Sequence, residues 1–591
     1  MCGIVGYIGE FNALMASMEG LQNLEYRGYD SAGVAFDKNN SIQIYKTKGR
    51  VRDLKLKLQE THASLSIGHT RWATHGEAND INAHPHSSRD GRFVLVHNGI
   101  IENYQRLKLM YVKEYPFISQ TDTEVIVQLI EYFSKEMTVP ESIRKTMSLL
   151  EGSYACLILD REHLDRIYFI KDKSPLLIGK STLGMSFSSD ITGLMDYANE
   201  YMILEDKSFG VVTAKEIELY DVIGLKLSLD FKPISIKKED IDKHTYTHYM
   251  LKEIHEQPMM VRNLIDRYFI KDEVNISKRL LHQIRQSDKI NFVACGSSMY
   301  ASYYAKYYFE KLCGIPCEVF CASELVYSTP LITKRPFFIF FSQSGETADC
   351  IAVMKKCKKQ GYPTLTITNT KESSMVHLSK YYLDLYAGKE IAVASTKAYT
   401  AMIVVSAILA RAVHMSKTNI KNNLKAVSLA MEKVLENEEV YKGIAKEIMD
   451  SSDAFFIGRG MDYWTSLEAA LKLKEIAYIH TEAFPSGELK HGPIALIHKD
   501  TPVLAIITQE GTNRITRSNL METASRGAKT FVISTKDLAS LDDDIILPNV
   551  AHYLSGLISA LVVQLIAYYA ALYKNNDIDK PKNLAKSVTV E

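Results

Sequence analysis

The chain has 591 residues, of which 46% are hydrophobic and 24% charged, and its 70 basic and 70 acidic side chains cancel. That length exceeds what one hydrophobic core organises, so roughly three or four domains are expected, and the charge balance offers nothing to nucleic acid or an anionic membrane. The 8 cysteines (2, 156, 295, 313, 317, 321, 350 and 357) are too sparse for a secreted disulfide framework, and the first apolar run stops at Glu10 without a basic leader, so a reduced, cytoplasmic protein is expected.

The chain opens Met1-Cys2-Gly3-Ile4-Val5-Gly6-Tyr7-Ile8-Gly9. Removal of Met1 would leave one residue carrying a thiol, of reference pKa about 8.5, and a free α-amine, of about 7.7–8.0. Near neutral pH that amine can take the thiol's proton, which makes Cys2 a candidate nucleophile with its own base. Ile4, Val5, Tyr7 and Ile8 read as a buried strand, and a core strand with an incidental cysteine explains the stretch equally well. Further short strands are expected at Gly33–Phe36, Phe93–His97, Tyr154–Leu159 and Ile167–Ile170. A helix over Asp122–Lys135 is entered through Thr121-x-x-Glu124, the form of a capping box. Residues 1–231 therefore read as an α+β domain of layered sheets.

A thiolate attacking an amide needs an oxyanion donor and a grip on the substrate. His97-Asn98-Gly99 offers a side-chain amide and a backbone N–H at one turn. Arg71 could hold a carboxylate in bidentate fashion, and Asp122 an ammonium group. Singly, Asn98-Gly99 is a common turn, Asp122 an ordinary helix-start carboxylate, and Arg71 a partner for any surface acid. Only the joint occurrence with Cys2 points to an amino acid whose side-chain amide is cut. The runs MCGIVGYIG, Glu25-Tyr26-Arg27-Gly28-Tyr29-Asp30-Ser31, GHTRWATHG, HNGIIENY and Thr121-Asp122-Thr123-Glu124 resemble the glutaminase domain of N-terminal-nucleophile amidotransferases. The resemblance implies Cys2 as nucleophile and base, Asn98 with Gly99 as oxyanion hole, and Arg71, Trp72, His75, Gly99 and Asp122 at the glutamine pocket. It further implies that Trp72 gates an internal passage for the ammonia released.

Residues 232–246 are charged and weakly patterned, and read as a linker. Beyond them Tyr249–Glu256 and Met259–Tyr268 are expected to be helices split at Pro258. Strands and helices then alternate, the pattern of parallel α/β folding: strand Lys289–Cys295, helix Met299–Cys313, strand Phe337–Phe341, helix Thr347–Gln360, strand Thr364–Thr368. An internal repeat follows. Phe292–Gly296 matches Phe456–Gly460, Gly296 and Glu324 share the spacing of Gly460 and Glu488, and Ser342 and Asn369 that of Thr508 and Thr535. The C-terminal part is two copies of one doubly wound domain, at 247–435 and 436–580, with a tail at 581–591. Leu554–Leu572 is long and apolar, but Ser555, Ser559 and Gln564 interrupt it and no basic loop orients it, so a helix buried in the protein or at a subunit interface is expected rather than a membrane span. Cys313, Cys317 and Cys321 fall at helical spacing, but Pro316 and a β-rich stretch break that helix, so they read as core residues rather than metal ligands.

Ser342-Gln343-Ser344-Gly345-Glu346-Thr347 joins a buried strand to a helix, where hydroxyls and helix-start N–H groups converge as an anion site. It lacks the Gly-Lys-Ser/Thr of a nucleotide loop, so a phosphate monoester fits better. Cys295-Gly296-Ser297-Ser298 and the helix start at Ser395 add hydroxyls. In the second copy Glu510 would repel a phosphate, so one phosphate site per chain is expected. That copy instead carries Lys472, Lys474 and Glu475 on a helix and Glu488-Leu489-Lys490-His491; taken alone, Lys472 with Glu475 reads first as a plain intrahelical pair. Lys586, in the tail, could form a Schiff base with a ketose. These segments, with the closing LAKSVTVE, resemble the sugar isomerase (SIS) domains of the glutamine–fructose-6-phosphate aminotransferase family. The resemblance implies phosphate binding by Ser342, Gln343, Ser344 and Thr347, with Ser297, Ser298 and Ser395 near the sugar. It implies Lys586 as the imine lysine, Glu475 as proton shuttle between C1 and C2, Lys472 in support, and His491 assisting ring opening from a neighbouring subunit, hence a homodimer.

The expected activity is transfer of the amide nitrogen of L-glutamine to D-fructose 6-phosphate with isomerisation, giving L-glutamate and D-glucosamine 6-phosphate. No metal or redox cofactor is called for, since proton transfers and an imine suffice. The rival reading is a non-catalytic sugar-phosphate-sensing regulator, which has no need of Cys2, Glu475, His491 and Lys586 together. A phosphoribosyl-transferring or ATP-dependent partner domain conflicts with the repeated sugar domains and the missing nucleotide loop.

Overall fold

The computed structural model describes residues 2–25, 28–72, 75–234, 243, 245–328, 330–414 and 419–589. Most of the expected linker, Met1, the Tyr26-Arg27 and Ala73-Thr74 pairs of two quoted motifs, and the last two residues of the tail lie outside the described residues. The chain divides into two compact units, Met1–Asp240 with Ser587–Val590, and Ile241–Lys586.

The first unit is a four-layer arrangement. An eight-stranded antiparallel sheet runs Lys232–Pro233, Glu200–Ile203, Leu177–Ser181, Gly184–Ser188, Gly3–Gly9, Leu65–Arg71, Ser31–Lys38, Ser41–Lys48. A six-stranded antiparallel sheet runs Ile217–Asp221, Ser208–Thr213, His163–Asp172, Gly152–Asp160, Phe93–Ile101, His86–Ser87. Strand alternation builds the layers. Ile4 and Ile8 pack against Val94, Val96 and Leu157 between the sheets, whereas Val5 and Tyr7 face the Ala13–Leu24 helix. Phe93 and Leu95 turn the other way, onto the helices Glu124–Ser134 and Val139–Leu149.

Two local expectations fail here. Thr121 does not cap the helix with Glu124: the helix starts at Glu124, whose carboxylate instead accepts the N–H groups of Ile118 and Ser119, at 2.9 and 2.6 Å. Asn98-Gly99 is not a turn either. It lies inside the Phe93–Ile101 strand, opposite Ala155 and Tyr154.

The second unit holds two five-stranded parallel sheets of identical order. The first runs Cys317–Cys321, Lys289–Ala294, Pro336–Ser342, Thr364–Thr368, Tyr381–Asp384; the second runs His480–Pro485, Asp453–Gly458, Pro502–Ile507, Lys529–Thr535, Ile545–Leu547. Numbered within each copy this is 2-1-3-4-5, so the repeat read from sequence is a structural repeat. In such sheets the chain reverses direction between strands 1 and 3, and ligands bind at the carboxyl ends there. In the first copy those two ends carry the Cys295–Ser298 and Ser342–Thr347 loops. The break between the helices Tyr249–His255 and Gln257–Tyr268 falls at Glu256, not Pro258, because proline is tolerated in a first helical turn where its missing N–H is not needed.

One core joins both copies: Phe292, Ile339 and Phe341 of the first belong with Phe456, Leu504 and Ile506 of the second, and with Leu561 and Leu565 of the helix Ser555–Tyr573. Among the described residues two helices are long and apolar enough to cross a membrane, Lys397–His414 and His552–Tyr573, but 89% and 100% of their apolar windows are buried inside the protein. The Gln564 side chain in the latter accepts from Gln257 Nε2 at 2.7 Å, and Gln257 in turn accepts from Thr400 Oγ1 at 2.6 Å.

Candidate active sites

In the first unit, Gly3 N–H donates to Thr70 Oγ1 and Ile4 N–H to Ser189 Oγ, both at 3.2 Å, which pins the chain beside Cys2. The Trp72 N–H donates to Cys2 Sγ at 3.3 Å, and Asn98 Nδ2 donates to the Cys2 carbonyl at 3.1 Å. Burial raises the Cys2 thiol's pKa, opposed in part by the Trp72 N–H and the Arg71 charge. Gly99 has φ +137°, and a Cβ there would sit 1.9 Å from the Ser153 carbonyl oxygen, so only glycine keeps this strand register. The Arg71 guanidinium is held by the turn carbonyls of His75, Gly76 and Glu77. Asp122 Oδ2 accepts the Ile101 N–H at 2.6 Å, which ties it to the end of the Asn98-Gly99 strand. His75 stands edge-on to Tyr104, with ring centroids 5.8 Å apart.

Sequence reasoning missed the floor of this site. His69, His84, His86 and His97 are all buried; His69 stacks on His84 at 4.0 Å, and His84 Nδ1 accepts the His97 N–H at 3.2 Å. Burial drives all four below the ordinary histidine pKa, His69 to about 3, so they are neutral. The signal was present as His84-x-His86 and as the histidines at the ends of two facing strands, but nothing in sequence pairs them.

In the second unit, Ser342 Oγ accepts the Gly345 N–H and meets Thr347 Oγ1, both at 2.9 Å, while Ser344 Oγ accepts the Glu346 N–H at 3.2 Å. Gln343 lies in the same turn, and its carbonyl accepts from the Asn369 N–H at 3.2 Å. Gly345 has φ +68°, and a Cβ would lie 2.0 Å from Ser373 Oγ. Glu346 is turned away to cap the Ser374 N–H at 2.8 Å, which removes its charge from the anion-facing side. The helix Ala348–Lys359 starts from this loop, so its first-turn N–H groups add to the site.

Ser297 and Lys472, one from each copy, meet at 3.1 Å. Lys472 also contacts Glu475 at 2.6 Å and Glu468 at 3.3 Å, and Ser297 Oγ donates to Glu468 Oε1 at 3.0 Å. Lys472 and Glu475 are thus an intrahelical pair and part of a wider cluster. Glu468 was not foreseen: it sits among apolar helix residues, and only its burial next to Lys472 reveals it. Burial raises it to about 7, with Lys472 opposing. Glu475 lies on a π-helical turn, Leu473–Ala477, which shifts it off the regular helix register.

Lys586 is delivered by a pinned tail. Asp579 accepts the Tyr249 and Met250 N–H groups at 2.9 Å, and Lys582 N–H donates to the Tyr478 hydroxyl at 2.7 Å. Lys586 Nζ then meets Glu390 Oε2 at 2.5 Å, and Ser395 Oγ donates to the same oxygen at 3.2 Å. Ser298 follows Ser297 at the start of the Gly296–Tyr308 helix. His491 is exposed on the turn Glu488–His491 and belongs to none of these clusters.

In the second copy the loop matching Ser342 is already filled. Asp462, fully buried, accepts the Thr508 N–H at 2.9 Å and the Thr508 hydroxyl, and Thr508 Oγ1 meets Ser555 Oγ at 2.7 Å. Glu510 is exposed, so it is Asp462, rather than Glu510, that occupies the place of an anion.

A glutamine amidotransferase domain model matches residues 69–196, and a SIS domain model matches 283–412 and 447–574. The chain is 47% identical to glutamine–fructose-6-phosphate aminotransferase (isomerizing) of Listeria monocytogenes and 46% identical to that of Bacillus cereus, each alignment covering 100% of both proteins. Among solved structures, the C-terminal domain of glucosamine-fructose-6-phosphate aminotransferase from Francisella tularensis covers 57% of this chain and 100% of its own length, at 36% identity and a TM-score of 0.55.

Proposed function

The chain belongs to the glutamine–fructose-6-phosphate aminotransferase (isomerizing) family, and on that premise we propose how its two sites divide the reaction. The enzyme transfers the amide nitrogen of L-glutamine to D-fructose 6-phosphate with isomerisation, giving L-glutamate and D-glucosamine 6-phosphate. The observation that carries the proposal is the Lys586–Glu390 pair at 2.5 Å in the same unit as the Ser342–Thr347 phosphate loop.

At the first site Cys2, with its α-amine as base once Met1 is removed, attacks the glutamine amide. Asn98 Nδ2 and the Gly99 N–H receive the oxyanion, Arg71 and Asp122 orient the substrate's carboxylate and ammonium, and Trp72 and His75 close the pocket. At the second site Ser342, Gln343, Ser344 and Thr347 hold the phosphate, with Ser297, Ser298 and Ser395 along the sugar. Lys586 forms the imine with C2, Glu475 carries the proton between C1 and C2, and Lys472, 2.6 Å from Glu475, supports that transfer. His491, exposed and outside its own chain's clusters, serves the site of a second subunit, so the working form is a homodimer. The substrates are small molecules, and the protein works in the cytoplasm, without nucleic acid or membrane.

The test is incubation with glutamine and fructose 6-phosphate. Equimolar glutamate and glucosamine 6-phosphate are expected; no amino sugar from protein with a processed N-terminus would overturn the reading in favour of a sugar-phosphate sensor.

A further inference from the structure

Glu253 lies on the Tyr249–His255 helix and is buried. Its Oε1 accepts two backbone N–H groups, from Ile391 and from Ala392 at 3.1 Å, the residues directly after Glu390. Its Oε2 is buried with no hydrogen-bond partner among the described residues. Glu390 is the opposite case. Its Oε1 accepts the Thr396 and Ala398 N–H groups at 2.9 and 3.0 Å, and its Oε2 receives Ser395 Oγ and Lys586 Nζ. A carboxylate so supplied with donors stays charged, whereas a buried carboxyl with an empty oxygen is far cheaper to hold with its proton on.

We propose that Glu253 is a positioning residue for imine formation that works as a neutral carboxylic acid, leaving Glu390 as the single carboxylate that Lys586 faces. The proposal rests on Lys586 as the imine-forming amine. Proton bookkeeping shows why one carboxylate is enough. Lys586 ammonium plus the C2 ketone gives an iminium plus water: the N–C2 bond forms, the C2–O bond breaks, and the two protons lost by nitrogen leave with that oxygen. The site holds one positive charge before and after, matched by Glu390. Between them stands the neutral amine, the only species that attacks, and a second carboxylate beside it would hold the ammonium instead.

The other charged groups around Glu253 leave this balance intact. Lys397, on the packed helix Lys397–His414, pairs with Glu256 at 2.6 Å, and Lys252 on Glu253's own helix lies 3.5 Å from the same carboxylate. Asp579 and Lys243 pair with each other at 3.3 Å. Burial, followed by the neighbouring Glu390 charge, raises Glu253 to about 8, so it carries its proton at neutral pH and loses it in mild alkali.

The experiment is single-turnover trapping of the fructose 6-phosphate imine with borohydride, on the full chain, at pH 7 and pH 9. One unit above an ionisation near 8, about a tenth of Glu253 keeps its proton. The native trapping rate, relative to Glu253→Gln at the same pH, is therefore expected to fall by up to about tenfold between the two pH values. Glu253→Gln keeps an oxygen for the Ile391 and Ala392 N–H groups but cannot ionise. Glu253→Asp can ionise but reaches those N–H groups poorly; it should retain the alkaline fall at a lower overall rate. Calorimetric binding of fructose 6-phosphate by each variant, with its circular dichroism, checks that the unit carrying Glu253 is folded. If Gln and Asp variants behave alike, or if Gln keeps the native pH profile, Glu253 only props the Ile391 turn and the proposal is overturned. If the native protein traps no imine at any pH, the assignment of Lys586 falls, and this proposal with it.

Discussion

Asn98 turns its side-chain N–H onto the carbonyl oxygen of Cys2 at 3.1 Å. The His69 ring is buried, and burial drives its pKa down to about 3. The amide is thus aimed at Cys2, the proposed nucleophile, in a setting where the surrounding histidines are neutral and add no charge to compete with an oxyanion. Asn98→Ala should lower the rate of glutamine hydrolysis by about 10²–10³ while changing KM for glutamine far less, since such a donor acts mainly in the transition state. Steady-state glutamate release measures both; an equal rise in KM with kcat unchanged would assign Asn98 to ground-state binding instead.

Cys2→Ala should abolish glutamine hydrolysis and leave fructose 6-phosphate binding unchanged, because the Ser342–Thr347 loop proposed to hold the phosphate and the Lys586 cluster belong to a different compact unit from Cys2. Calorimetric titration with the sugar phosphate checks the second half, and loss of sugar binding would refute the separation of the sites.

Lys586→Ala should reverse that outcome. Glutaminase activity persists and no amino sugar forms, and borohydride no longer links the sugar to the protein. The substitution also leaves Glu390 without its cation in a buried setting, so a lowered Tm is expected, from a cost of roughly 3–5 kcal/mol.

Gly345→Ala should raise KM for fructose 6-phosphate sharply with little effect on glutamine hydrolysis. The residue has φ +68° and its new methyl would overlap Ser373 Oγ, so the turn that presents Ser342, Ser344 and Thr347 must open. Phosphate binding followed by calorimetry separates this from a general loss of stability.

Asp462 gives a pH test of the filled loop. Burial raises its pKa from the ordinary 3.8 to about 7, so between these values the folded chain holds a proton that the unfolded chain does not. Its contribution to stability is therefore complete below about pH 4 and is lost as the pH rises through 7. Asp462→Asn cannot suffer that loss. The Tm of the Asn variant relative to native should be more favourable at pH 8 than at pH 5, each kcal/mol appearing as about 2 °C. A difference independent of pH would mean that Asp462 is ionised throughout.

Spacing made the repeat, the Ser342–Thr347 loop and the Lys472–Glu475 pair legible, because each is set by residues close in sequence or by a period that recurs. What misled were local rules overridden by distant partners. Glu124 had the position of a cap and was taken by the loop at Ile118 and Ser119; Asn98-Gly99 had the composition of a turn and was held straight by its pairing with Ala155 and Tyr154. Glu253, Glu390, Glu468 and Asp462 were invisible for a related reason. A carboxylate gains its character from burial and from neighbours far along the chain, and one letter in an apolar helix reports neither.

The shared core of the two SIS copies has a consequence for how this enzyme can change. Asp462 fills the loop of the second copy, and the helix that carries it, Met461–Lys472, brings Lys472 to Ser297 of the first, with Glu475 paired to Lys472. On the proposed function, holding and chemistry are thereby divided between the two copies. On the proposed assignment, the crevice of the first copy answers to the shape of a phosphate ester, while the second copy lends the proton-handling groups. Substitutions on the lending side should redirect what happens to a bound sugar phosphate, and those on the holding side should decide which one is bound.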